Sequence, residues 1–227
     1  MTEQADWNPA QLPSGRHGLP REYVAASQRA RLLSAAVLTA GESGYAGMTV
    51  SAVIGKAGVS RKTFYEFFRD REDLFLAAFD SLATAALDGA REAFGRGDSW
   101  PKQLRSLLAA GLGTLAERPD AARLGFVEVL AAGPTALARR EAAMRAFAEF
   151  LSPGFDAARE QADADIPGLM PEAIAGALCE IVYTRVLQGR TAELPGLLGE
   201  LLFCALAPFL GPSAAAEHAA ASGPEPR

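Results

Sequence analysis

The sequence predicts an all-α protein. Alanine and leucine abound, 49% of the residues are hydrophobic, and apolar side chains recur at spacings of three and four with no sustained alternating strand pattern. About nine to ten helices are expected in all, framed by a loose arm over residues 1–24 and a loose tail over residues 212–227. The arm is expected because residues 1–20 hold prolines and glycines with little apolar periodicity. The tail is rich in Ala, Gly and Pro.

A first helix is expected over residues 25–42, with Leu33, Ala36, Val37 and Ala40 as its apolar stripe and Gly44 as its stop. The Thr49 hydroxyl can cap a short second helix that buries Val50, Val53, Ile54 and Ala57. Gly58 can take the left-handed conformation that turns the chain. Ser60 then caps a third helix from Arg61 to about Phe68, and Val59 plugs the angle between the two. This is a helix-turn-helix. A fourth helix is expected over residues 72–93. The break at Gly95-Arg96-Gly97-Asp98-Ser99 and the start at Trp100-Pro101 open a second module of roughly six helices. Its loops fall at Pro119, Gly133-Pro134, Ser152-Pro153-Gly154, Pro167-Gly168 and Leu194-Pro195-Gly196.

The net charge of −5 hides an asymmetry. Residues 15–71 hold nine Lys or Arg against four Asp or Glu, so this stretch is +5 and the remainder is −10. Uneven surface charge alone can give this, so the motif inside the segment decides.

Over residues 25–86 the chain resembles the TetR family of bacterial transcription regulators. The resemblance rests on Gly44-Tyr45, Met48-Thr49-Val50, Ala57-Gly58-Val59-Ser60, Thr63-Phe64-Tyr65, Phe68 and Arg71-Glu72-Asp73-Leu74-Phe75. It implies a helix-turn-helix DNA-binding domain over these residues and an effector-binding and dimerisation domain over residues 87–211. The implied function is a homodimeric repressor that releases a palindromic operator in double-stranded DNA on binding a small effector.

Arg61 and Lys62, just after the Ser60 cap, stand where a recognition helix meets base edges. Cations at a helix start oppose the macrodipole, which argues for a role beyond solvation. Thr63 and Tyr65 can donate hydroxyls to phosphates. In the family, positions matching Thr49, Thr63, Tyr65 and Arg71 touch the DNA backbone, and the resemblance implies the same here. Lys56 is either a further phosphate contact or a solvated lysine. Phe67 stands where many members carry histidine, Arg71 where lysine is frequent, and Ile54 where a smaller residue is common. Glu66 can accept from cytosine or repel a wrong register, and stays unassigned. Arg16, His17, Arg21, Arg29 and Arg31 form either a minor-groove arm or a segment with no ordered role.

The helices over residues 171–188 and 197–210 are apolar almost all round, and so need partners on both sides. One reading is a two-fold dimer interface through Leu178, Val182, Leu198, Leu202, Leu206 and Phe209. The other is that both lie in the core of a single chain. Trp100, Phe126, Met144, Phe147 and Tyr183 can line an effector pocket, and their apolar character would suit an apolar or aromatic ligand. The same stripe also reads as plain core packing.

No enzyme is expected, since His17 and His218 lie in the expected tails and no nucleophile motif appears. A helical interaction protein that has lost DNA binding would show degraded groove residues, whereas Arg61, Lys62, Thr63 and Tyr65 are intact. Cys179 and Cys204 lie in apolar patterns and read as buried core thiols, with no metal or other cofactor implied. No membrane span is expected, because the most apolar run, residues 201–210, is half of the roughly 20 residues required and holds Pro208. Met1-Thr2-Glu3-Gln4 offers neither a basic stretch nor an apolar core for export, which points to the cytoplasm.

Overall fold

A computed structural model of the chain describes residues 20–162 and 165–220. Among these residues there are ten α-helices and no strand, as the spacing of the apolar residues predicts. The helices are α1 (Arg21–Gly47), α2 (Val50–Ala57), α3 (Arg61–Phe67), α4 (Arg71–Phe94), α5 (Trp100–Glu117), α6 (Pro119–Phe126), α7 (Pro134–Ala148), α8 (Gly154–Ala162), α9 (Met170–Leu187) and α10 (Leu198–Ala220). Short 3-10 turns, among them Glu128–Ala131 after α6 and Thr191–Leu197 before α10, join some of them.

The local chemistry explains where each early helix starts and stops. Gly44 sits at φ 71° and ψ 173°, a conformation nearly confined to glycine, so α1 is broken there as its sequence predicts. The hydroxyl of Thr49 accepts the Ala52 amide at 3.2 Å, and the hydroxyl of Ser60 accepts the Thr63 amide at 3.0 Å. Between them Gly58, at φ 62° and ψ 39°, closes α2. Each such hydroxyl cap contributes about 1 kcal/mol. The Asp70 carboxylate caps α4 by accepting the Asp73 amide at 2.9 Å, which places the helix start one residue before the expected Glu72.

Two apolar cores result. The first joins α1 to α4 around Leu32, Phe64, Leu74 and Phe75. It also takes in Leu124, Val129, Ala132 and Ala136, which lie far beyond residue 86 in the chain. The second gathers α5 and α8 to α10 around Leu104, Leu151, Leu202 and Phe209.

Leu178, Val182, Leu202, Leu206 and Phe209 are buried inside this second core, which favours the reading of both helices as the core of a single chain. The reason is that α10 packs against α5, α8 and α9, while α9 packs against α6 and α7, so the fold supplies partners on several sides of each helix. Of the six residues expected at a dimer interface, only Leu198 keeps partial exposure.

The expected tail is also different as far as Ala220. Gly211 turns the chain at φ 78°, and Pro212 restarts the helix, the position at which proline's fixed φ and missing amide are tolerated. Ala215 is then buried in the second core, and Arg105 of α5 donates to the His218 carbonyl at 3.4 Å. His218 is therefore part of a helix. Residues 1–19, with Arg16 and His17, and residues 221–227 lie outside the described residues; Arg21, Arg29 and Arg31 belong to α1.

The segment Thr191–Ala220 is long and apolar enough to cross a membrane by length and composition, contrary to the expectation from residues 201–210 alone. Its apolarity has a use inside the fold, since Leu201, Leu202, Ala205, Leu206 and Phe209 fill the core. Cys204, in the same helix, is exposed and so is not a core thiol. Cys179 is largely enclosed, and burial pushes its thiol above the ordinary value.

Candidate DNA interface

The interface is built on two rings. Phe64 and Phe68 are buried, and they anchor α3 against the first core through its inner side. That anchoring turns the other side outward: Arg61, Lys62, Tyr65 and Glu66 are all exposed. Tyr65 is 53% exposed and leans edge-on against Phe64 with ring centroids 5.2 Å apart, so its hydroxyl is offered to the outside by a supported ring. The helix start that carries Arg61 and Lys62 is fixed by the Ser60 cap, and the Thr63 hydroxyl is 2.8 Å from that of Ser60. Ser60 and Thr63 thus hold the backbone that presents the two cations. The Arg29 guanidinium of α1 lies 5.7 Å from the centre of the Phe68 ring, where it braces the far end of α3.

The remaining expected contacts are less free. Lys56 is clasped by Glu42, with Nζ 2.6 Å from one carboxylate oxygen, so its charge is already paired within the chain. Arg71 donates to the carbonyls of Tyr45 and Ala46 at 3.4 and 3.3 Å, and its guanidinium covers the Tyr45 ring at 4.6 Å. It therefore braces the turn that leads into α2. Phe67, at the family's histidine position, packs on the first core.

The Asp73 carboxyl is held below the ordinary range, first by the hydrogen bond from the Arg69 amide and then by that from the Arg69 side chain. Glu128 carries no signal in the sequence, since its partner is 83 positions away, yet it is joined to the turn before α2. Glu128 is 7% exposed as a residue, and its carboxylate accepts the Tyr45 amide at 2.7 Å and pairs with Arg123 at 3.0 Å.

The five residues expected around an effector are all partly buried. Trp100 donates its indole hydrogen to the Phe150 carbonyl at 3.0 Å and meets Phe209 edge-on at 5.4 Å. Phe147 joins the same aromatic group, 6.3 Å from the Phe150 ring, and Phe126 packs on the second core. Met144 lies on α7 and Tyr183 on α9, two helices that pack together. Two open surface clefts, one lined by Arg29, Asp80 and Thr84 and the other by Lys102, Arg105 and His218, include none of the five. Among the described residues no group of three His, Cys, Asp or Glu could hold a metal ion.

A short capped α2, the Gly58 turn and a capped, outward-facing α3 form the helix-turn-helix arrangement with which many proteins bind DNA. Residues 32–78 match the family model described as bacterial regulatory proteins of the tetR family, so this stretch carries that family's DNA-binding module. No curated protein matches the chain.

Among solved structures, the fatty acid degradation regulator FadR from Bacillus halodurans is 21% identical, with a TM-score of 0.69 over 78% of this chain and 97% of that one. FadR from Bacillus subtilis, solved in complex with stearoyl-CoA, is 20% identical, with a TM-score of 0.68 over 80% and 98%. A gamma-butyrolactone receptor, described as ArpA-like, is 24% identical, with a TM-score of 0.65 over 88% and 98%. At these identities the likeness is one of fold.

Proposed function

We propose that the protein is a homodimeric repressor that binds a palindromic operator and releases it when a small, mostly apolar effector enters the second module. The observation that carries the reading is α3, where Arg61, Lys62 and Tyr65 stand exposed on a helix fixed by the Ser60 cap and the buried Phe64. Arg61 and Lys62 read base edges in the major groove, while Thr49, Thr63, Tyr65 and Arg71 hold phosphates and set the register. Residues 25–86 serve DNA and residues 87–211 serve effector binding and dimerisation. The cytoplasm is where such a protein meets its operator.

Release follows if the effector favours a conformation in which the two recognition helices no longer match the half-site spacing, so that ligand and DNA oppose each other. Stearoyl-CoA in the structure of a protein of the same fold supports an effector with a long apolar part. So does the apolar second core, with Trp100, Phe126 and Phe147 packed on it. The dimer uses the outer face of α10, where Phe203, Ala207 and Leu210 are partly exposed and Cys204 is exposed.

The test is selection of bound sequences from a random duplex pool at stated salt, with the mass of the protein in solution measured alongside. An enriched palindrome and a dimeric mass are expected. A folded protein that enriches nothing at low salt would overturn the reading.

A further inference from the structure

The contact between Glu128 and Tyr45 crosses from the second module to the turn that leads into α2. Glu128 lies in the 3-10 turn Glu128–Ala131, directly after α6. Its Oε2 accepts the Tyr45 amide at 2.7 Å, and its Oε1 is held by Arg123 of α6 at 3.0 Å. The fit is close on both sides. A Cβ on Gly44 would stand 3.0 Å from Glu128 Oε2, and one on Gly41 would stand 2.6 Å from Asp120 Oδ1 at the start of α6. A buried carboxylate is costly unless it is paired and hydrogen-bonded, and the Tyr45 amide and Arg123 together supply both for Glu128.

Tyr45 passes the constraint on. Its ring meets Phe75 of α4 edge-on at 5.0 Å, and Arg71 both covers that ring and donates to the Tyr45 carbonyl. The order of contacts is Arg123, Glu128, Tyr45, Arg71. It starts on α6 in the second module and ends at a cation beside the helix-turn-helix.

We infer that Glu128 is a positioning residue for DNA binding: by holding the Tyr45 amide it keeps the turn and Arg71 in the phosphate-binding arrangement. The inference rests on the DNA-binding reading above and names the contact through which the second module acts on it.

The experiment compares the full chain with Glu128→Ala, Glu128→Gln and Leu124→Ala on the selected operator across a salt series. Exchange of the Tyr45 amide is followed separately, without DNA. Glu128→Ala is expected to bind between about 5-fold and 150-fold more weakly. Its salt slope should be shallower by about one phosphate contact, and its Tyr45 amide should exchange faster. Glu128→Gln keeps an acceptor but loses the charge paired with Arg123, so it shifts all three in the same direction by less, and it carries the test if the alanine variant does not fold. Leu124→Ala loosens the same segment by removing buried packing alone, and its folded fraction should keep the wild-type slope.

Wild-type affinity, slope and Tyr45 exchange in the folded Glu128 variants would overturn the inference, as would an equal change of slope in Leu124→Ala. A wild-type protein that selects no duplex would remove the DNA-binding reading and this inference with it. Tyr45 exchange, measured without DNA, tells that failure from a failure of the anchor alone.

Discussion

The Nζ of Lys56 lies 2.6 Å and 2.7 Å from the two carboxylate oxygens of Glu42, so the only cation of α2 is tied to the end of α1. An exposed pair of this kind contributes about 0–1 kcal/mol to stability, so its main effect is on where the charge is held. Glu42→Gln should release Lys56 toward DNA, raising affinity for all duplexes alike and steepening the salt dependence by about one contact. Binding titrations on operator and random DNA check this. An affinity gain confined to the operator would contradict it.

Arg61→Ala and Lys62→Ala should relax base preference at single positions at a cost of about 1–3 kcal/mol each, while Tyr65→Phe should weaken binding to every sequence by a similar factor. Competition between the operator and its point variants separates the two patterns. Equal losses on specific and random DNA for all three variants would remove the assignment of readout to Arg61 and Lys62.

The burial of Leu206 separates core from interface. Leu206→Ala should cost about 2–5 kcal/mol of folding stability and leave the oligomeric mass unchanged. Phe203→Glu, on the outer face of the same helix, should instead shift the mass toward the monomer and leave the second core packed. Denaturant unfolding and solution mass, measured on both variants, would contradict this if the two behaved alike.

Asp73 gives a pH dependence with a definite sign. Its folded carboxyl titrates below the ordinary value of 3.8, chiefly because it accepts the Arg69 amide. Its contribution is complete above that value and is lost as the pH falls through the lower folded one. Asp73→Asn should therefore be less stable than wild type at neutral pH, with the difference shrinking in strong acid. A difference that stays constant from neutral pH down to strong acid would contradict the assignment.

The first module was legible because its instructions are local. Thr49, Gly58 and Ser60 act within three or four residues of themselves, and the structure places each where the sequence predicts. Even the exposure of Arg61 and Lys62 follows from the spacing of Phe64 and Phe68. What was not legible is long-range. Leu202 and Leu206 look the same whether a partner subunit or α5 covers them, and Glu128 looks like any surface glutamate until α1 and α6 are brought together. Gly211-Pro212 was ambiguous for a different reason: the same dipeptide can end a chain's order or turn one helix into another, and the buried Ala215 favours the second.

Leu124, Val129, Ala132 and Ala136 close the first core from the far side of α5 in the chain. The covalent border after the DNA-binding module is therefore not its physical border. A hybrid regulator cut near residue 86 would inherit the recognition helix but leave an open apolar socket, and grafting must carry α6 and the start of α7 along with it. For the same reason, specificity for operator and specificity for signal can be exchanged between such proteins only where both halves of that shared socket travel together.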